Sequence, residues 1–187
     1  AEEFDVIVTD CSSCASFLKN YPQLFPEAGK HHEQAAAVSA RVRDMVQLIH
    51  AMDADAPSSE PAVTATYHHP CHAARGQGLS TEPVEILNRL PGVEYRPLTE
   101  ADWCCGGAGS YAFAHYELSQ QVLDRKMNHL KESDADLLVT SCPACWLSWA
   151  LYYPQWAEKL GIDFDIESKH YSEIIAERLE SGDLEFT

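Results

Sequence analysis

Five cysteines in the order C-x32-CC-x36-C-x2-C carry the chemistry of this sequence: Cys71, Cys104, Cys105, Cys142 and Cys145. Two adjacent cysteines cannot both point into one core. Cys104-Cys105 lead straight into Gly106-Gly107-Ala108-Gly109, residues small enough to let the backbone fold tightly and turn N–H groups toward something bulky and anionic. A metal–thiolate cluster has that character. Soft thiolates select zinc, copper(I) or iron–sulfur clusters. A structural zinc takes four ligands in a closed tetrahedron, so five thiols suit a polynuclear iron–sulfur cluster better, with zinc as the alternative. The bland explanation, inert buried cysteines, is disfavoured for the five but stands about level for the further pair Cys11 and Cys14. His69 and His72 bracket Cys71, and each is either an N–H donor or ligand at the site or a loop histidine capping backbone. Arg75 is placed to neutralise cluster charge, and Trp103, Trp146 and Trp149 read as core and as a dry wall. The glycine stretch lacks the Lys-Ser/Thr of a phosphate loop and the spacing of a dinucleotide fingerprint.

Composition narrows the class. A chain of 187 residues, 45% hydrophobic with four tryptophans, can bury a sizeable core. Its 29 acidic against 13 basic residues give a net charge of −16, which repels nucleic acid and anionic membrane surfaces. No apolar run reaches the roughly 20 residues of a membrane span, and the expectation is of a protein without a secretory signal. Seven cysteines, some paired at two-residue spacing, indicate metal binding in a reducing compartment, with the cytoplasm as the default.

The elements that must position these residues alternate between strand and helix. Short β-branched or apolar runs at 5–9, 63–67, 93–98 and 134–140 read as strands, with another near 162–166. Helices are expected after Cys14, over 33–52, within 73–90, over 111–131, after Cys145 as far as Pro154, and over 172–179. His31 and His32 fall in a polar loop, and 53–61 is a linker. Each cysteine group thus follows a strand and two of the three precede a helix. In an α/β fold with a mostly parallel sheet and flanking helices, that puts them in the crevice at the strands' carboxyl ends. Helix N-termini there favour thiolates.

An internal repeat links the two ends. Asp5-Val-Ile-Val-Thr-Asp-Cys11-Ser-Ser-Cys14 matches Asp136-Leu-Leu-Val-Thr-Ser-Cys142-Pro-Ala-Cys145 at a fixed offset. The first copy is present only from its last strand onward, so the chain is expected to be a fragment or to be completed by another segment. Cys11 and Cys14 alone cannot saturate a four-iron cluster, which leads to an expectation of at most one cluster per chain. The unpaired strand edge at Val6-Ile7-Val8 favours a homo-oligomer.

Cys71, Cys104-Cys105-Gly106 and Cys142-Pro-Ala-Cys145, together with His69-Pro-Cys-His and Asp136-Leu-Leu-Val-Thr, resemble the cysteine-rich CCG domain. That domain occurs in heterodisulfide reductase catalytic subunits and in iron–sulfur subunits of glycolate and lactate oxidases. The resemblance implies that residues 1–55 are the C-terminal part of a first CCG-type repeat and residues 62–187 a complete unit. It implies iron–sulfur ligation by Cys71, Cys104, Cys105, Cys142 and Cys145. The cofactor is then a 4Fe–4S cluster, non-cubane in the heterodisulfide reductases, with zinc proposed for some such domains. The Val-Thr-Asp-Cys-Ser-Ser-Cys phrase followed by Tyr-Pro looks most like the glycolate-oxidase type. On that basis the chain is an electron-transfer subunit serving a flavoprotein, with no transmembrane segment of its own and a place at the periphery of a membrane complex. The alternatives are a thiol–disulfide reductase subunit and a zinc-stabilised interaction module. The chain departs from the glycolate-oxidase type in lacking the C-x2-C-x2-C-x3-C-P run of ferredoxins, and three cysteines of the first motif are missing.

Overall fold

The computed structural model describes residues 4–27, 29–52, 54–55, 63–107, 109–161 and 166–186. The chain runs through β1 (Ile7–Thr9), α1 (Ser12–Lys19), a 3-10 turn at Tyr21–Leu24, α2 (Lys30–Ser39), β2 (Val42–Asp44), α3 (Met45–Ala51) and β3 (Ala54–Asp55). It continues through β4 (Val63–Tyr67), α4 (Cys71–Gln77), α5 (Glu82–Arg89), β5 (Val93–Tyr95), α6 (Ser110–Ala114) and α7 (Tyr116–Glu132). The last elements are β6 (Leu137–Thr140), α8 (Pro143–Leu160), β7 (Glu167–His170), α9 (Tyr171–Glu180) and β8 (Glu185–Phe186).

The expected α/β architecture is present. Strands β5-β4-β6-β7 form a parallel sheet in that order, β1 pairs parallel with β2, and β3 pairs antiparallel with β8. The side-chain period of two divides the main sheet between two cores. Ala65 and Tyr67 of β4, with Leu137 and Val139 of β6, pack on Ile49 of α3, Leu87 of α5 and Ile174 of α9. On the opposite face Leu138 joins Leu123 and Met127 of α7, Trp149 and Trp156 of α8, and the cysteines Cys105, Cys142 and Cys145. Each fully buried side chain of this size contributes about 1.5–3 kcal/mol. From β4 the chain crosses to β5 on one side, and it returns past β4 to β6 on the other. The crevice between β4 and β6 is therefore the switch point where doubly wound sheets bind ligands.

Several elements differ from the sequence expectation. The single helix over 33–52 is two helices separated by β2. Val42 is fully buried, and β2 gains a ladder with β1 in the register Ile7↔Val42 and Thr9↔Asp44. Long-range pairing outweighs local helical periodicity here. Asp44 then starts α3 afresh through a capping box, accepting the Val46 N–H at 3.1 Å while Gln47 returns to the Asp44 N–H at 3.2 Å. His31 and His32 lie in α2, not in a loop. The helix over 111–131 breaks at His115, whose φ of −131° is not helical. Residues 73–90 hold two helices, α4 ending on Gly78 in the left-handed region. Pro154 sits inside α8 and does not end it. The strand expected near 162–166 falls mostly outside the described residues, and β7 begins at Glu167. Of the linker over 53–61, only Ala54 and Asp55 are described, and they form β3.

The internal repeat extends further in three dimensions than in sequence. The β1–α1 unit is followed by a parallel strand, β2, and a capping-box helix, α3. The β6–α8 unit is followed by β7 and the capping-box helix α9, which His170 and Glu173 close. The registers correspond, Thr9 opposite Asp44 and Thr140 opposite His170. No helix among the described residues is long and apolar enough to cross a membrane.

Candidate metal centre

Three segments converge at the switch point. The β4 segment continues one step past its end, because the His68 N–H donates to the Val139 carbonyl at 3.0 Å, and then Pro70 opens α4 with Cys71 as its first residue. The β6 segment ends in Ser141-Cys142, and Cys142 caps α8, placing Cys145 in that helix's first turn. Between β5 and α6 lies the Cys104-Cys105 loop. It is pinned by the Trp103 indole N–H on the Val122 carbonyl at 3.2 Å, with the Arg125 guanidinium 4.3 Å above the Trp103 ring.

The five predicted cysteines are all brought to this end of the sheet. Cys105, Cys142 and Cys145 are buried, while Cys71 and Cys104 are partly exposed. Sγ of Cys105 and Sγ of Cys145 lie 3.2 Å apart as free thiols. Cys104 lies close enough to Cys105, and Cys142 to Cys145, for each to perturb the other's ionisation. Cys71 sits within electrostatic reach of Cys104, its sulfur 3.9 Å from Nδ1 of His72. In this network the protons are unevenly held. Close contacts with the Cys104 and Cys145 sulfurs hold the Cys105 thiol far below its usual range, despite burial. Cys142 falls to about 5, mainly through its bond with Cys145, with help from Ser13 and the backbone N–H groups at the start of α8. Cys104 and Cys145 are pushed up by the same sulfur contacts and by burial. Clustered sulfurs, three of them buried and with their protons unevenly held, form a pocket suited to a soft cation.

Gly106 and Gly107 let this loop lie between α7 and α8. Gly106 has φ +74°, and a Cβ there would sit 2.7 Å from the Ser119 carbonyl oxygen, while the Ser119 hydroxyl donates to the Gly106 carbonyl at 2.6 Å. A Cβ on Gly107 would meet Ser148 Oγ at 2.3 Å and Cys105 Sγ at 3.3 Å. Gly106→Ala is therefore expected to cost the left-handed penalty of about 1–2 kcal/mol and a further amount for moving α7. Chemical denaturation of the metal-free protein measures it; an unchanged midpoint would show that the loop is not held where the structure places it.

The structure also sorts the lesser candidates. His72 Nδ1 is 3.0 Å from Ser13 Oγ. His69 packs edge-on against Tyr67 at 4.8 Å, and burial lowers its pKa to about 4, so it is neutral near pH 7. Arg75 does not face the sulfurs; it holds the Asp102 carboxylate and carbonyl at 3.2 Å. Trp149 is buried wall, as expected, while Trp146 donates its indole N–H to the Ser168 carbonyl at 3.0 Å. Cys14 is exposed, and Cys11, raised to about 12 chiefly by burial, feels Cys142 electrostatically. The first half reaches the site through serines. Ser13 Oγ lies 3.2 Å from Cys142 Sγ, and a buried chain joins Ser12 Oγ to Ser141 Oγ and Ser141 Oγ to Tyr67 Oη, each at 2.8 Å.

Two residues escaped the sequence reading. Lys126 of α7 is wholly buried, its ammonium donating to the Glu100 carbonyl within the field of Cys105 and Cys145. His68 is 1% exposed, and its ring meets Trp149 at 5.4 Å. A ring nitrogen of His68 and the sulfurs of Cys105 and Cys145 lie within 4.8 Å of one another, a candidate three-ligand metal site. Around this point the side chains of His68, Thr66, Thr140 and Trp149 have buried polar atoms without protein partners. Each such orphan costs about 1–3 kcal/mol. Clustered thiolates bordered by unpaired polar groups fit a thiolate-bound metal or cluster.

Residues 65–149 match the cysteine-rich domain named CCG. This segment belongs to the CCG cysteine-rich family. The match runs from within β4 to Trp149, so it takes in all five cysteines and His68. The chain is 30% identical over 180 residues to the "probable glycolate oxidase iron-sulfur subunit" of Bacillus subtilis, covering 95% of this chain and 39% of that protein. It is 31% identical over 145 residues to "lactate utilization protein A" of Geobacillus kaustophilus, covering 77% of this chain and 61% of that protein. A third relative is a subunit of the fumarate reductase (CoM/CoB) of Methanothermobacter marburgensis, 30% identical over 147 residues, covering 78% of this chain and 28% of that protein. The chain thus spans less than two thirds of each of these relatives.

Proposed function

We propose that the chain binds an iron–sulfur cluster through Cys71, Cys104, Cys105, Cys142 and Cys145. In this reading it relays electrons for a flavoprotein that oxidises a 2-hydroxy acid such as glycolate or lactate. The observation that carries it is the convergence of five thiols, three of them buried, at the β4/β6 switch point, with Cys105 and Cys145 sulfurs 3.2 Å apart. Relatives named as a glycolate oxidase iron–sulfur subunit and a lactate utilization protein support the substrate class. The cluster would supply one-electron storage and transfer. The protein's part is to hold thiolates ready at Cys105 and Cys142, to exclude water with Trp149 and Met127, and to place Lys126 as a counter-charge. The repeat supports two units, residues 1–55 and 62–187, with the cluster in the second and Ser13 of the first leaning on Cys142. Reduced thiols in this number suit the cytoplasm.

Anaerobic loading of the chain with iron(II) and sulfide tests this. Four irons with matching acid-labile sulfide, a brown absorption and a reversible reduction are expected. Colourless protein that keeps zinc and refuses iron would overturn the proposal in favour of a zinc-stabilised module. Near eight irons per chain would show that Cys11 and Cys14 help hold a second cluster, and the solution mass shows whether two copies associate.

A further inference from the structure

We propose that His68 is a nitrogen ligand to this centre, binding one metal ion together with Cys105 and Cys145. The inference rests on the reading of the cysteine site as a metal centre, and it adds a donor of different chemistry to the thiolate set.

Its support is positional. Thr66 and His68 alternate onto the sheet face that looks toward α7 and α8, opposite the face of Ala65 and Tyr67. The backbone bond from His68 to Val139 fixes the residue there, so its side chain is delivered by the ladder and not by a loose loop. The ring is 1% exposed; neither nitrogen meets an acceptor or donor within ordinary hydrogen-bond limits, and the side chain the ring acts on is that of Cys105. A histidine kept only for packing could be replaced by an apolar ring without leaving two polar atoms unpaired in the core. One nitrogen lies within 4.8 Å of both Cys105 and Cys145 sulfurs, themselves 3.2 Å apart. A metal bonded at roughly 2.0–2.1 Å to nitrogen and about 2.3 Å to sulfur fits within that triangle after small side-chain adjustments. A ligating imidazole uses the lone pair of one nitrogen, keeps its proton on the other, and normally passes that N–H to an acceptor. Thr140 is next to His68 across the ladder on the same face, and its hydroxyl has no partner. It can accept that N–H.

Histidine labelled with 15N gives the direct test. The full chain, loaded anaerobically with iron(II) and sulfide, is brought to a paramagnetic state and examined by pulsed electron–nuclear double resonance. The wild type should show a strong nitrogen coupling that is absent from His68→Ala and from His68→Cys. His68→Cys supplies another soft ligand and should keep most of its iron, whereas His68→Ala should lose a large part of it. A loaded wild type with no nitrogen coupling, with only the weak coupling of a hydrogen-bonded imidazole, or with a coupling that survives in His68→Cys overturns the proposal. If the wild type takes up no iron, the iron–sulfur reading fails separately, and His68 is then judged with cobalt(II) alone. The thiolate-to-cobalt absorption should shift in His68→Cys if the nitrogen binds, and identical spectra would exclude it. Circular dichroism of the metal-free variants separates lost ligation from lost folding.

Discussion

Cys105→Ser is expected to lose most of its iron and sulfide, roughly tenfold or more relative to wild type, while Cys14→Ser keeps most of its complement. The asymmetry follows from where the two sulfurs lie. Cys105 is buried at the middle of the thiol network, hydrogen-bonded to Cys145, beside Cys104 and close to His68. A hard hydroxyl there removes a soft thiolate and, being smaller, loosens the contacts with two neighbouring sulfurs. Cys14 is exposed, its backbone N–H turned to Cys11 Sγ at 3.4 Å. The first half touches the site through Ser13 and, electrostatically, through Cys11. Iron and sulfide per chain, measured on both variants after the same anaerobic loading, decide the matter. Equal loss would place the Cys11-x2-Cys14 pair in the same centre.

The fold was readable where local pattern and tertiary environment agree. The run Leu137-Leu138-Val139 is apolar at successive positions because β6 is covered on both faces, as a central parallel strand must be. The spacing that groups Cys71, Cys104-Cys105 and Cys142/Cys145 was likewise visible, since each follows a strand and parallel strands end together. Failures came where a distant partner decided the local structure. Val42 fits a helical stripe with Val38 and Met45, and only the presence of β1 turns it into a strand. Pro154 reads as a helix stop, yet Ala150, whose carbonyl it leaves without an intrahelical donor, is exposed, and water can take that bond. Nothing nearby in sequence marks His115 as the break between α6 and α7.

In the site, the thiols announce themselves by type and the supporting residues do not. His68 stands beside His69, and sequence cannot say which of the two faces the cysteines. Period-two alternation does, once β4 is known to continue through His68: Tyr67 belongs to one core and His68 to the other. Ser13 would have been hard to find at all, because it matters only through the docking of α1 against the second half. Lys126 lies in a helix whose apolar stripe, Leu123, Met127 and Leu130, gives a natural reason for burial on one side. A lysine adjoining such a stripe ordinarily extends its amine to water. Here the end of the side chain is enclosed by the Glu100 carbonyl and the cysteine loop.

That enclosure has a measurable consequence. Burial lowers the Lys126 pKa from 10.5 to about 8. Below about pH 8 both folded and unfolded chains carry the proton, and the folded state bears the full cost of the buried charge. From pH 8 to 10.5 the folded protein has released a proton that the unfolded chain still binds, so the unfavourable contribution shrinks as pH rises. The range corresponds to about 3 kcal/mol at 1.36 kcal/mol per pH unit. Lys126→Met removes the titration. The metal-free stability of wild type relative to this variant should therefore rise by about 3 kcal/mol between pH 7 and 10.5. Taking the difference between the two proteins cancels most of the thiol ionisation common to both. At pH 7 the methionine variant gains by shedding a buried charge and loses the bond to the Glu100 carbonyl, which costs about 1–3 kcal/mol if left unpaired. The net change there is small, and the slope carries the information. In the loaded protein the effect appears in the potential. A buried ammonium near an anionic cluster favours the added electron, so Lys126→Met should lower the reduction potential while leaving iron content nearly unchanged. Parallel denaturation curves at every pH, together with an unshifted potential, would show that the Lys126 amine reaches water and does not act on the sulfurs of Cys105 and Cys145.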